Sequence, residues 1–200
     1  MTKFITFEGM DGAGKSTHLE WFAESLRQRG HDVVVTREPG GTPLGEQLRE
    51  IVLNQSMTIG TEALLMFASR LEHVETVIKP ALQSGKWIIS DRFSDASFAY
   101  QGSGRGFDWH KLSQLEKWVH GDMNPDLTLF FDVPVDVARQ RLANNASLDR
   151  FEQEHAEFFE RVRDGYHRRI AEQPQRYVVI DGAQSMDLVK RRLEQVVITL

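Results

Sequence analysis

Apolar residues along this chain follow two alternating patterns. Short runs rich in β-branched and aromatic residues, as expected of buried strands, occur at Phe4-Ile-Thr-Phe7, His31–Thr36, Lys86–Ser90, Leu127–Phe131 and Arg176–Ile180. Between them the apolar positions take helical spacing. Leu19, Phe22, Ala23 and Leu26 mark a helix within Gly14–Gly30. Further helices are predicted over Leu44–Leu53, over Thr61–Ser84 with Gly85 ending it, and from Asp108 to about His120. Val135–Leu142, Phe151–Glu172 and Asp187–Val197 complete the set. Strands that alternate with helices predict an α/β fold, a five-stranded and mostly parallel sheet with helices on both faces. In such a sheet the functional loops follow the C-terminal ends of the strands. No repeat or linker interrupts the chain, and Pro125 and Pro174 read as loop punctuation, so residues 1–200 are expected to form one domain.

The first strand ends at Gly9, and Gly9-x-x-x-x-Gly14-Lys15-Ser16 follows at once, ahead of the first helix. Strand, glycine-rich loop and helix in that order make a phosphate loop and predict a P-loop NTPase fold. Glycines let consecutive backbone N–H groups curl around a polyphosphate, and the helix adds the positive end of its dipole. Gly9, Met10, Asp11, Gly12, Ala13, Gly14, Lys15, Ser16 and Thr17 are therefore the candidate ATP-binding loop. Lys15 would reach the β- and γ-phosphates, and Ser16 would offer its hydroxyl to Mg²⁺. The plain alternative is a flexible loop with a surface lysine.

Composition narrows the partners. A net charge of −5 argues against general nucleic-acid binding, so an anionic substrate must meet a local basic cluster. The absence of cysteine leaves no disulfide framework or thiol nucleophile and agrees with a reducing compartment. With no apolar run of about 18 residues and no leader pattern, the expectation is a cytoplasmic protein without a membrane partner. The seven histidines lack paired metal-ligand spacing, which makes a zinc site improbable.

Six segments then occur in register. They are Phe7-Glu-Gly-x-Asp-Gly-Ala-Gly-Lys-Ser-Thr17, Thr36-Arg-Glu-Pro-Gly-Gly-Thr42, Leu65-Met-Phe-Ala-Ser-Arg70, Ser90-Asp-Arg92, Ala99-Tyr-Gln-Gly102 and Leu148-Asp-Arg-Phe-Glu-Gln-Glu154. Together they resemble the bacterial thymidylate kinases from about Lys3 to the C-terminus. The resemblance implies transfer of a phosphoryl group from ATP to dTMP with Mg²⁺, by a homodimer. The helix at Thr61–Ser84, apolar on more than one side, permits such an interface or serves burial within one chain.

Residue by residue, the resemblance implies that Arg37, Arg70 and Arg92 surround the acceptor phosphate, where a planar guanidinium binds bidentately. Arg49 would join the acceptor pocket. Phe67 would stack on thymine, and Ser97 and Gln101 would meet its polar edge. Tyr100 would crowd the 2′ position of the sugar, and Asp11 would hold the sugar or phosphate end of the acceptor. Asp91 would serve the Mg²⁺ shell, and no distinct role follows for Glu8. From the residues alone, Arg70 also reads as a solvated helix position or a partner for Glu72 or Glu75, Phe67 as a core residue and Asp11 as a turn former.

Catalysis in such an enzyme is electrostatic, with Lys15, Mg²⁺ and Arg92 as sources of positive charge and a lid as another. The lid is expected at about 139–152, and its cation is either Arg141 or Arg150, with Arg141 favoured by motif position. Many relatives carry a denser arginine run there, where this chain has Ala143, Asn145 and Ala146. Gly12 stands where another subgroup has arginine. Trp21, Trp87, Trp109 and Trp118 read as packing residues, and Arg161, Arg163, Arg168 and Arg169 as a solvated helix face. Two other functions stay open: a kinase of another nucleoside monophosphate, and a non-catalytic nucleotide switch. The chain has no Asn-Lys-x-Asp guanine signature.

Overall fold

A computed structural model describes residues 2–143 and 149–200. Its centre is β1 (Phe4–Glu8), flanked by β3 (Trp87–Asp91) and β4 (Leu127–Asp132), with β2 (Val33–Arg37) outside β3 and β5 (Tyr177–Asp181) outside β4. Every pairing is parallel, in the order β2-β3-β1-β4-β5. Phe7 stands opposite both Asp91 and Leu129, so Gly9 and Arg92 leave the same edge of the sheet. All five β1 residues are buried, as expected of a strand covered on both faces.

Helix α1 (Lys15–Arg27) buries Leu19, Phe22, Ala23 and Leu26, the stripe its sequence spacing marks. Phe22 meets the edge of Phe7 at 5.4 Å between ring centroids. Truncating such a ring to alanine costs about 3–5 kcal/mol. The helix α2 (Pro43–Asn54) starts at Thr42, whose hydroxyl accepts from the Gly45 N–H at 2.8 Å, with proline in the first turn.

The long helix expected over Thr61–Ser84 is three pieces. These are α3 (Ile59–His73), a π-turn at Val74–Ile78, and α4 (Lys79–Gln83). Pro80 has no N–H to return to the preceding turn, and the chain takes the wider turn just ahead of it.

An element the apolar pattern does not announce is α5 (Ser94–Ser97), continued by a π-helix at Phe98–Gly104. Its serines and glycines are poor helix formers, and packing against α8 (Ala156–Glu172) sustains it. A Cβ on Gly104 would lie 2.6 Å from Phe158 Cε2, and one on Gly165 would lie 2.9 Å from Ala99 Cα. Two glycines thus let the helices touch. Helix α8 begins later than the expected Phe151, because Asp149 Oδ1 accepts from the N–H groups of Phe151 and Glu152 and makes that stretch a turn.

The chain between β3 and β4 closes with α6 (Trp109–His120), capped by Asp108. Helices α7 (Val135–Leu142) and α9 (Met186–Thr199) follow β4 and β5. Two expectations for surface and core are corrected here. Arg169 is buried, donating to Asp95 and Glu116 at 2.8 Å each, because the polar run Ser94–Ser97 places Asp95 inside. Trp118 is 75% exposed and packs no core. Among the described residues, no helix is long and apolar enough to cross a membrane.

Candidate active site

Helix α1 is preceded by Gly14, in left-handed backbone at φ 96°, a residue with no side chain to cap it. Its first N–H groups are therefore left for an anion. Gly12 is also left-handed, at φ 80°, and a Cβ there would lie 2.5 Å from the Ala138 carbonyl oxygen on α7. An arginine at this position has no room. Lys15 is buried, its ammonium donating to the carbonyls of Gly9 at 2.9 Å and Met10 at 3.0 Å. Burial first, and then the positive charge of Arg92, pull its pKa below the usual lysine range.

Over the loop lies a cavity of about 510 Å³. Lys15, Arg37, Arg49, Arg92 and Arg141 line it, offset by Asp11, Glu38, Asp91 and Glu152. Here is the local basic cluster that an acidic chain needs for an anionic substrate. Ser16 and Asp91 line the same space, and Asp91 Oδ1 is buried without a hydrogen-bond partner among the described residues. An unsatisfied carboxylate oxygen and a hydroxyl that line one space over a phosphate loop fit a hard divalent cation such as Mg²⁺.

Arg92 follows β3 with φ 70°, a strained backbone for a side chain of this size. Its guanidinium donates to Asp11 Oδ1 at 2.7 Å and to the hydroxyls of Tyr100 and Tyr166 at 3.0 Å each. Tyr100 donates in turn to Asp11 Oδ2 at 2.9 Å, and Tyr166 to Glu8 Oε2 at 2.9 Å. Burial raises the Asp11 pKa, but the charges of Arg92 and Lys15 outweigh it and hold the carboxyl well below the usual range. Glu8, buried and accepting the Phe93 N–H at 2.7 Å, is pushed up to about 8 by desolvation and by the charge of Asp95. Sequence reading gave Glu8 no task; the structure makes it the anchor of the turn that carries Arg92.

A second cavity of about 60 Å³ shares Asp11, Glu38, Arg49 and Arg92 with the first. Its walls are Pro39, Leu53, Met66, Ala96, Tyr100 and Phe151, with Gln101 as a polar wall residue. Phe67, expected at the base, faces away into a cluster with Ala63, Phe98, Leu112 and Val119, and Met66 takes the wall position. Arg70 also lies behind the wall, 1% exposed, donating to Glu38 Oε2 at 2.7 Å, Ser97 Oγ at 3.0 Å and the Phe93 carbonyl at 3.0 Å. Arg70 and Ser97 thus shape the cavity from outside. Arg37 pairs with Glu46 at 2.8 Å, and Arg49 donates to the Pro39 carbonyl at 3.0 Å.

The expected lid is only partly visible, since residues 144–148 of it lie outside the described residues. Arg141 lines the larger cavity and donates to the carbonyls of Gly12 at 3.2 Å and Gly182 at 2.9 Å. Arg150 is not among the residues lining either of these two cavities; it donates to the Val52 carbonyl and to Glu62 Oε2. A third space of about 190 Å³, between the phosphate loop and the turn after β5, is lined by Thr17, His18, Arg141, Gly182 and Gln184. Only its place after a strand C-terminus could have marked it in the sequence.

A phosphate loop that opens onto a second, arginine-lined cavity defines a kinase of the P-loop class, built to hold a phosphoryl donor and an acceptor side by side. The chain belongs to the thymidylate kinase family, whose sequence profile matches residues 7–193. It is 59% identical over 198 residues to a thymidylate kinase of Cupriavidus metallidurans, covering 99% of this chain and 98% of that one. A thymidylate kinase of Janthinobacterium sp. (strain Marseille) is 60% identical over 195 residues, covering 98% and 96% of the two chains. A thymidylate kinase crystal structure from Ehrlichia chaffeensis matches with a TM-score of 0.79 at 36% identity, covering 98% of each chain.

Proposed function

We propose that this chain transfers the γ-phosphoryl group of ATP to the phosphate of dTMP, giving ADP and dTDP. The observation that carries the reading is the pair of contiguous cavities that meet at Asp11 and Arg92, one a phosphate cradle and the other a small slot with apolar walls and charged residues at the join. The polyphosphate of ATP lies on the loop from Gly9 to Thr17, with its purine in the space between Arg141 and the Gly182–Gln184 turn. Ser16 and Asp91 would hold Mg²⁺, which supplies charge neutralisation for the phosphates.

Arg92 gives up part of its bond to Asp11 for the acceptor phosphate, with Arg37 and Arg49 at the rim of the same space. Tyr100, pinned by Asp11 and Arg92, presses against the 2′ position and so favours deoxyribose. The base packs against Met66 and Phe151, with Gln101 reading its edge and Arg70, Ser97 and Phe67 fixing the wall behind it. Lys15, Arg92 and Arg141 stabilise the charge that develops during transfer. Arg141 is preferred to Arg150 as the lid cation because Arg141 already lines the phosphate cavity.

The setting proposed is the cytoplasm and the assembly a homodimer. Leu64 on α3 and Trp118 on the adjoining α6 are 57% and 75% exposed, an apolar surface that a second copy would cover. Sedimentation of the protein and of a Leu64→Glu, Trp118→Glu variant tests the assembly. ADP release with dTMP, dUMP, dCMP, AMP or no acceptor tests the reaction. Turnover with dTMP, or with dTMP and dUMP as the two bases protonated at N3, supports it. Turnover with another acceptor moves the base reading, and ATP binding without any transfer overturns the kinase.

A further inference from the structure

Glu62 on α3 is 1% exposed and lines neither nucleotide cavity, yet its bonds run to two segments that build them. Gln101 Nε2 donates to its Oε1 at 2.8 Å, and Arg150 Nη2 donates to its Oε2 at 2.7 Å. Arg105 Nε stands 3.6 Å from the same Oε2. Arg150 belongs to the turn ahead of α8, and it also ties that turn to the Val52 carbonyl of α2 at 2.9 Å. The neighbouring Phe151 and Asp149 form part of the wall of the smaller cavity.

An ionised carboxylate only accepts hydrogen bonds, whereas a glutamine amide accepts at one end and donates at the other. Glu62 therefore decides which end of Gln101 turns inward to α3, and the amide nitrogen is the end it takes. The other end, Gln101 Oε1, is buried with no partner among the described residues, on a side chain that lines the cavity. A buried acceptor in that state selects a ligand that brings a donor.

We infer that Glu62 is a positioning residue for acceptor choice: it fixes the Gln101 amide with oxygen toward the base, and Arg150 holds Glu62 in place for that task. The base admitted is then one with a protonated ring nitrogen, as at N3 of thymine or uracil. With that oxygen facing N3, the bare ring nitrogen of cytosine meets oxygen lone pairs and is disfavoured, even though the neighbouring 4-amino group is a donor. This rests on the dTMP kinase reading above.

The test compares dTMP with 5-methyl-dCMP, which keeps the methyl group but carries an unprotonated N3. In Glu62→Gln, the new amide accepts as well as donates, so Gln101 is free to turn over. The expected result is a rise in KM for dTMP of about 10-fold with kcat little changed, and a fall of about 10- to 100-fold in the kcat/KM preference for dTMP over 5-methyl-dCMP. A circular dichroism melt establishes that the variant is folded. Should it not fold, Arg150→Met leaves the Glu62–Gln101 bond but loosens its support, and the same preference is expected to fall several-fold. An equal loss of rate with both acceptors and an unchanged preference makes Glu62 a purely structural charge and overturns the inference. Failure of the unaltered protein to phosphorylate dTMP at all overturns the kinase reading and this one together.

Discussion

The Arg92 guanidinium and the Asp11 carboxylate lie 2.7 Å apart at the point where the two cavities join. One arginine thereby spans the phosphate loop, through Asp11, and the wall of the smaller cavity, through Tyr100. A lysine brings the charge but only as a point, without the fork that reaches Asp11, Tyr100 and Tyr166 together. Arg92→Lys is expected to lower kcat by about 100-fold or more while the fold stays intact, read by steady-state kinetics beside a melting curve.

Gly12 is expected to be intolerant of even one methyl group. Its Cβ would stand 2.5 Å from the Ala138 carbonyl at φ 80°, so the loop and α7 must separate. Gly12→Ala is expected to lose about 1–3 kcal/mol of stability and to raise KM for ATP more than KM for dTMP. Denaturant unfolding and the two KM values check it.

Asp91 Oδ1 is buried with no partner among the described residues, which suits a cation. Asp91→Asn keeps the shape and removes the charge. The Mg²⁺ concentration that gives half-maximal rate is expected to rise about 10-fold or more, with the dTMP KM nearly constant. A magnesium titration of the rate reads this directly.

Glu8 carries a pH dependence of stability. Its pKa rises from 4.5 to about 8 in the fold, so the folded state binds more protons than the unfolded chain between those values. The stability it contributes is fully present below about pH 4.5 and is lost as pH rises to about 8. Glu8→Gln has no proton to lose. Its melting temperature relative to the unaltered protein is expected to improve from about pH 5 to about pH 8; parallel profiles would contradict the assignment.

The strands and the phosphate loop were legible because each is local. β1 is apolar across its whole length, and the glycine spacing of the loop is contiguous with it. Arg70 was not legible, since its partner Glu38 lies 32 positions away and only the fold makes the pair. Met66 and Phe67 differ by one position, about 100° around a helix, and an apolar pattern does not say which of two neighbours faces a cavity. Polar residues hide buried structure in the same way. Ser94–Ser97 reads as a loop, yet Asp95 within it is bound by Arg169 and Arg176, which explains why Arg169 belongs to the interior.

The most direct measurement follows a radiolabel on the γ-phosphoryl group of ATP in the presence of dTMP and Mg²⁺. The expected result is label on dTDP, with little released as inorganic phosphate and little transferred when dCMP or AMP replaces dTMP. Label that stays in ATP, or that appears as inorganic phosphate whatever acceptor is present, would contradict the assignment of the two cavities to donor and acceptor.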